Sequence, residues 1–312
     1  MTAHQPSIET DNPNQGPAPR AEVVRSLRPS LGLASWHRFT IELLQFRRSR
    51  EGVFFTIAFP VVMLALFGTI FGEAKLGPDS TGVTFAQYFI ASMMAAGVWG
   101  SCFTNLSISV PSERDSGALK RLAGTPMPMT AYFAGKIGLV LLLSAFETLL
   151  LLAMGLAFYH LHLPSAEKWL TFAWVMVLGI TSCTLLGLAV SGLVRNARTA
   201  SAIVTPIAIL LQFISGVYFV FDQLPSWLQN IASLFPLRWL ALGLRSVFLP
   251  EAFAAQEPGR SWQTGTTAIV MVVWCVVGLA ITKRTFTWMS EAQRVGVNPD
   301  PTLIPTLNSA HM

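Results

Sequence analysis

Charge is scarce in this 312-residue chain, where Asp, Glu, Lys and Arg together make up 12%. Cysteine is scarcer: Cys102, Cys183 and Cys275 form no CxxC pair and have no histidine at ligand spacing, which argues against a disulfide or metal framework. No G-x-x-x-x-G-K-[ST] run occurs, because Gly135-Lys136 lacks the upstream glycine and is followed by Ile137; a phosphate cradle cannot be built from it. Paired catalytic groups are missing as well. His160 and His162 stand two apart and a carboxylate falls inside an apolar run only once, a poor basis for an integral-membrane enzyme. No catalytic residue and no metal ligand is assigned. Residues 1–30 contain no apolar run, so no cleavable signal peptide is expected, and residues 1–34 are read as a disordered tail.

What the chain has is apolar length. Of its residues 52% are apolar and the mean hydropathy is +0.53. Six stretches, Val53–Gly72, Phe85–Val110, Ile137–Tyr159, Trp169–Val194, Ala200–Phe221 and Thr264–Ile281, each approach the roughly 20 residues of helix that cross a bilayer core. An all-α integral membrane protein with six transmembrane helices follows. The membrane-spanning body is placed at 35–285 and a second tail at 286–312. Sixteen of the 21 basic residues fall before the first span, in the second-to-third and fourth-to-fifth gaps, and after the last span. Short cytoplasmic loops accumulate Lys and Arg, so both termini are expected in the cytoplasm and the protein in the plasma (inner) membrane. The net charge of +5 arises from this asymmetry, and nucleic acid is not an expected partner.

Three local patterns stand out. Trp36, Phe39, Leu43 and Phe46 recur at helical spacing before the first span, with Arg38, Arg47, Arg48 and Arg50 beside or opposite them; this predicts an amphipathic helix lying in the membrane interface. Between spans two and three, Glu113 and Asp115 precede Lys120 and Arg121, ahead of Gly124 and Pro126, a charge order that suits one short capped helix. Asp222–Gln263 is too long for a hairpin connection, and Trp227–Leu234 and Leu237–Leu249 are each too short to span. They are read as two short re-entrant helices.

Glu147 is the one ionisable residue deep in a span. Such a group is a site candidate by default, here for a cationic ligand or a proton, against a neutral carboxyl bonded to a neighbouring helix. Phe213 and Tyr218 are candidates for an apolar substrate path. Arg238 and Arg245, seven apart on one helix face, either snorkel to lipid headgroups or meet an acidic substrate group. Pro60 and Pro206 are expected to kink their helices, and Gly68 and Gly72 permit close helix approach.

The segment Glu113-x-x-x-Gly117-x-Leu119-x-x-Leu122, Thr125-Pro126, Gly135-Lys136, together with Leu224-Pro225-x-Trp227-Leu228, Phe235-Pro236-Leu237 and Leu244-Arg245, resembles the motifs of type-2 ABC transporter permeases, the group that holds drug and polysaccharide exporters. Phe235 stands where many relatives carry Asn. The resemblance covers about residues 36–285. It implies a permease subunit without an ATPase of its own, which binds no cofactor itself; ATP and Mg would be held by a separate ABC ATPase subunit. It also implies a homodimer or a pairing with a similar permease, among membrane lipids. Trp36, Phe39 and Leu43 of the interfacial helix, and Glu113, Gly117, Leu119, Lys120 and Arg121, would couple to the ATPase. The implied function is export of an amphiphilic or hydrophobic substrate, drug- or antibiotic-like; a lipid-linked glycan or lipid is the alternative, and an enzyme or a channel the more distant ones.

Overall fold

Among the described residues, six helices are long and apolar enough to cross a membrane. The computed structural model describes residues 30–77, 82–125, 127–194 and 196–295, with the backbone alone for Ala123 and 286–295. Most of the expected tails, residues 1–29 and 296–312, and with them Pro126 of the Thr-Pro pair and Arg195, lie outside the described residues. No β-strand occurs among the described residues; one isolated bridge joins Lys75 and Thr84.

Helix α1 (Leu31–Arg48) begins four residues earlier than the expected body, because the Ser30 side chain accepts from the Leu33 N–H at 3.4 Å and so caps it. The first span, α2 (Arg50–Phe71), contains a π-type turn at Phe54–Ala58, directly before Pro60. A widened turn there relieves the contact between the proline ring and the carbonyl four residues back. The second span, α3 (Phe85–Asp115), has another π-type turn at Gly100–Thr104 and continues through Pro111. A short helix α4 (Ala118–Ala123) follows, then the spans α5 (Met129–Phe158), α6 (Ala166–Leu193) and α7 (Ala197–Ile214). Helix α7 runs through Pro206 without interruption. Helices α8 (Ser226–Ser233) and α9 (Pro236–Phe248) are the two expected short helices, bent by 95° at the break between them. The last helix, α10 (Thr264–Val295), carries the sixth span and continues past Ile281.

The core is built around α3, whose most apolar stretch is 83% buried, against 11% for α2 and 28% for α7. Ala91, Ala95, Ala96 and Gly97 give it a slim waist, and Gly187 of α6 lies so close that a Cβ there would stand 2.8 Å from the Cys102 carbonyl oxygen. Small residues allow this approach, which dispersion then rewards. Gly68 of the anticipated small-residue step receives a side chain instead: the Tyr159 ring fills the space, and its hydroxyl donates to the Leu64 carbonyl at 3.3 Å.

The fifth span ends seven residues before its expected limit at Phe221. Gly216 adopts φ +75, a left-handed conformation that glycine takes without penalty. A Cβ at that position would also lie 2.8 Å from the Phe221 Cβ. The apolar run Val217–Phe221 therefore folds back over α3 instead of extending the helix.

Candidate functional site

On the side of the molecule that carries α1, four charged side chains meet between three helices. Arg38 of α1 bonds Glu42 one turn on and donates to Glu113 Oε2 of α3 at 2.8 Å. Lys136 of α5 reaches Glu113 Oε1 at 2.7 Å and Glu42 at 3.1 Å. The Tyr132 ring lies beside both cations, 4.8 Å from the Arg38 guanidinium carbon and 5.5 Å from the Lys136 nitrogen. Arg38, Glu42 and Lys136 are all buried. Two positive and two negative groups compensate one another, as buried charges must. Gly135 makes the packing possible, since a Cβ there would stand 2.5 Å from the Arg38 side chain.

This sets Arg38 apart from Arg47, Arg48 and Arg50, which stay exposed as expected. The inward face of α1 is Ala34, Arg38 and Glu42, while Trp36 is 62% exposed and Phe39 and Leu43 are partly covered. An isolated amphipathic helix turns its apolar stripe to the membrane and its charges to water. Here α3 and α5 supply counter-charges, so the charged stripe packs inward.

The anticipated single helix over Glu113–Leu122 is divided. Glu113, Arg114 and Asp115 form the last turn of α3, Gly117 turns the chain at φ +70, and α4 starts afterwards. Each of the three charges serves a different neighbour. Glu113 holds α1 and α5. Arg114 donates to the Ser191 and Val194 carbonyls at 3.0 and 2.6 Å, placing positive charge on the carboxyl end of α6. Asp115 accepts from the Ala197 N–H at 2.6 Å, placing negative charge at the start of α7. Both match the helix dipole. On α4, Lys120 and Arg121 are exposed and Leu119 is partly buried.

A cavity of about 940 Å³ runs along α2, α3 and α7, from Glu42 and Glu113 at one end to Tyr218 and Phe219 at the other. Both π-type turns border it. Phe213 lies on its wall, and Glu147 of α5 reaches it beside α3. Glu147 is 3% exposed. Its carboxyl occupies the space left by the missing side chain of Gly97, where a Cβ would lie 2.3 Å from the Glu147 carboxyl carbon. Tyr218 packs on Phe213 with ring centroids 4.7 Å apart and donates to Gln212 Oε1 at 2.9 Å. Burial pushes its phenol up to about 12, so it stays a donor at neutral pH.

Arg238 and Arg245 are not at the surface. Arg245 is fully buried and Arg238 is 2% exposed, and neither lines the cavity. Arg245 forks onto Glu257 at 2.7 and 3.4 Å and also donates to Ser92 Oγ and the Gly216 carbonyl at 3.1 and 3.2 Å. Arg238 reaches Glu257 Oε2 at 3.1 Å and stacks 3.7 Å from the Phe221 ring centroid. Snorkelling is therefore corrected: the pair fastens the loop at Glu257 and the turn at Gly216 to α3. Tyr88 belongs to the same knot, since its hydroxyl donates to the Gly216 carbonyl and accepts from the Phe221 N–H, both at 3.2 Å. Sequence reasoning missed Glu257, Tyr88 and Ser92. The available signal was that two arginines on one face of a membrane-embedded helix need a nearby acid.

The profile of a protein family described as "ABC-2 type transporter" matches residues 36–249, which is α1 through the end of α9 and most of the described chain. This chain belongs to the ABC-2 type transporter family. Among its curated relatives, "Inner membrane transport permease YadH" of Escherichia coli (strain K12) is 24% identical over 197 residues, 62% of this chain and 75% of that protein. "Probable multidrug ABC transporter permease YbhR" of the same strain is 28% identical over 146 residues, 47% of this chain and 39% of that one.

In this ABC-2 permease the matched region contains both charge clusters except Glu257, which lies eight residues past its limit. The family supplies the membrane component of ABC transporters, with the ATPase on a separate subunit. Phe235, the departure from the motif, begins α9 without a side-chain cap and stacks on Trp274 of α10 with centroids 6.2 Å apart. The Trp274 indole N–H donates to the Leu234 carbonyl at 2.7 Å, so an apolar contact with the last span replaces the polar cap.

Proposed function

We propose that this permease is the membrane-spanning half of an ATP-driven exporter. The observation that carries the proposal is the mostly apolar cavity whose lining runs along α3 from Met93 to Glu113, about 30 Å of helix at the standard rise and close to the thickness of a bilayer core. The substrate is amphiphilic and moves outward, a reading in keeping with the word "multidrug" in the name of one relative. Both termini face the cytoplasm by the distribution of basic residues. ATP and Mg bind to the partner ATPase, which docks on α4 through Leu119, Lys120 and Arg121 and against the outer face of α1 at Trp36.

Movement of the ATPase subunits reaches the cavity by a short path. Helix α4 joins α3 through Gly117, and Glu113 ties α3 to α1 and α5. A push on α4 or α1 thus acts on α3 through buried ion pairs that resist stretching. Helices α2 and α7 leave apolar faces uncovered beside the cavity, and a second copy, or a similar permease, completes the pathway there.

The test is purification of the full chain from its native membrane in mild detergent after crosslinking, with mass spectrometry and an ATPase assay on the eluate. A stoichiometric Walker A protein with ATPase activity is expected, and a permease that elutes well folded and alone overturns the exporter reading.

A further inference from the structure

We infer that the cavity binds hydrophobic organic cations, with the Glu147 carboxylate as their counter-ion; the inference deepens the exporter reading and takes from it that the cavity is the substrate path.

The first observation is the sign of the lining. Among the described residues four glutamates border the cavity, Glu42, Glu51, Glu113 and Glu147, and no lysine, arginine or histidine does. Two of the four are already compensated, because Arg38 and Lys136 hold Glu42 and Glu113 from behind the wall. Glu51 is exposed at the α1 end. Glu147 differs from all three: it is buried, deep in a span, and makes no ion pair or hydrogen bond among the described residues. Gly97 leaves the space that its carboxyl fills at the edge of the cavity. A lone carboxyl in this setting lacks the partner that buried acids otherwise acquire, and a cationic occupant of the cavity supplies one.

The second observation is the wall itself. Phe55, Phe59, Phe67, Phe213, Tyr218 and Phe219 contribute aromatic surface along the cavity, and ring faces attract organic cations. Met63 and Met93 add deformable thioethers. An anionic amphiphile would meet carboxylates and no basic group. A neutral one would use the walls and leave the carboxyl without a partner. A delocalised or amine cation with apolar substituents matches both features.

Tetraphenylphosphonium and tetraphenylborate share shape and apolar surface and differ in the sign of charge. Binding of each is measured by equilibrium titration to the full-length permease in lipid nanodiscs, with empty nanodiscs subtracted. Saturable binding of tetraphenylphosphonium is expected, with tetraphenylborate failing to compete. Glu147→Gln weakens tetraphenylphosphonium binding by more than about tenfold, and Glu147→Asp retains the preference for the cation. Equal binding of the two ions, or unchanged affinity in a monodisperse Glu147→Gln protein, overturns the inference. If Glu147→Gln does not fold, the comparison of the two ions on the native chain decides alone.

The two readings fail separately. ATP-driven movement of an uncharged amphiphile by a permease without saturable cation binding leaves the exporter and removes the cation. Glu147-dependent cation binding by a chain that recovers no ATPase does the reverse.

Discussion

The two buried charge clusters solve one problem in two ways. The cluster at α1 is balanced, with Arg38 and Lys136 against Glu42 and Glu113, and all its ion pairs run between side chains of helices. The cluster at α9 is unbalanced. It sets Arg238 and Arg245 against Glu257 alone, and makes up the difference with Ser92, the Gly216 carbonyl and the faces of Phe221 and Tyr88. The balanced cluster joins three helices through side chains alone, whereas the unbalanced one also takes in the backbone of the turn at Gly216. The first borders the cavity and the second does not. The two connections are thus distinguishable by what neutralises their charges.

Removing the single acid of the α9 cluster should have the largest effect. Glu257→Gln leaves two guanidinium groups buried without a counter-ion, and destabilisation of about 3–5 kcal/mol is expected, read as loss of monodisperse protein and a lower melting temperature in detergent. Normal stability would mean that carbonyls and rings suffice, and the contrast between the clusters would collapse. In the balanced cluster, Glu113→Gln leaves one acid for two cations, the very ratio tolerated at α9. A loss of about 2 kcal/mol is expected, with ATP-driven transport falling further than stability. A double-mutant cycle with Lys136→Met sharpens this result: coupling of roughly 0.5–3 kcal/mol is expected between residues in contact, and strict additivity would deny that they act together.

Gly117→Ala tests the link between the balanced cluster and α4. A side chain at φ +70 costs about 1–2 kcal/mol, and the expected readout is reduced stimulation of the partner ATPase by substrate with the permease still folded. The smallest effect is expected beside the unbalanced cluster, for Phe235→Asn. A gained cap of about 0.5–2 kcal/mol and a lost aromatic pair of about 0.5–1.5 kcal/mol nearly cancel. A melting shift of many degrees in either direction would show that one of the two contributions has been misjudged.

The spans were legible because hydropathy and length are properties of single segments. Their ends were legible only where local chemistry decided them. Val217–Phe221 is as apolar as a helix requires, yet Gly216 and the Tyr88 hydroxyl, more than a hundred residues apart, turn it back. The extension of α3 to Asp115 was concealed because Glu113, Arg114 and Asp115 read as the opening of a separate short helix until their partners on α5, α6 and α7 are known. In the same way, the i, i+7 spacing of Arg238 and Arg245 put them on one face and could not point to Glu257, which follows a turn and a loop. Arg38 and Glu42, four apart, were a readable ion pair; that their face was the inner one depended on Lys136, almost a hundred residues away.

Glu113, Arg114 and Asp115 also impose a reading frame on the end of α3. Each residue of a helix is turned roughly 100° from the last, so deleting one residue between Pro111 and Glu113 moves the whole triplet by one register. Arg114 would then arrive beside Arg38 and Lys136, and Asp115 would face the carbonyl end of α6. Every one of those meetings has the wrong sign. Grafting this segment between permeases therefore requires an unbroken count back to α3, whatever sequence identity the donor and recipient share.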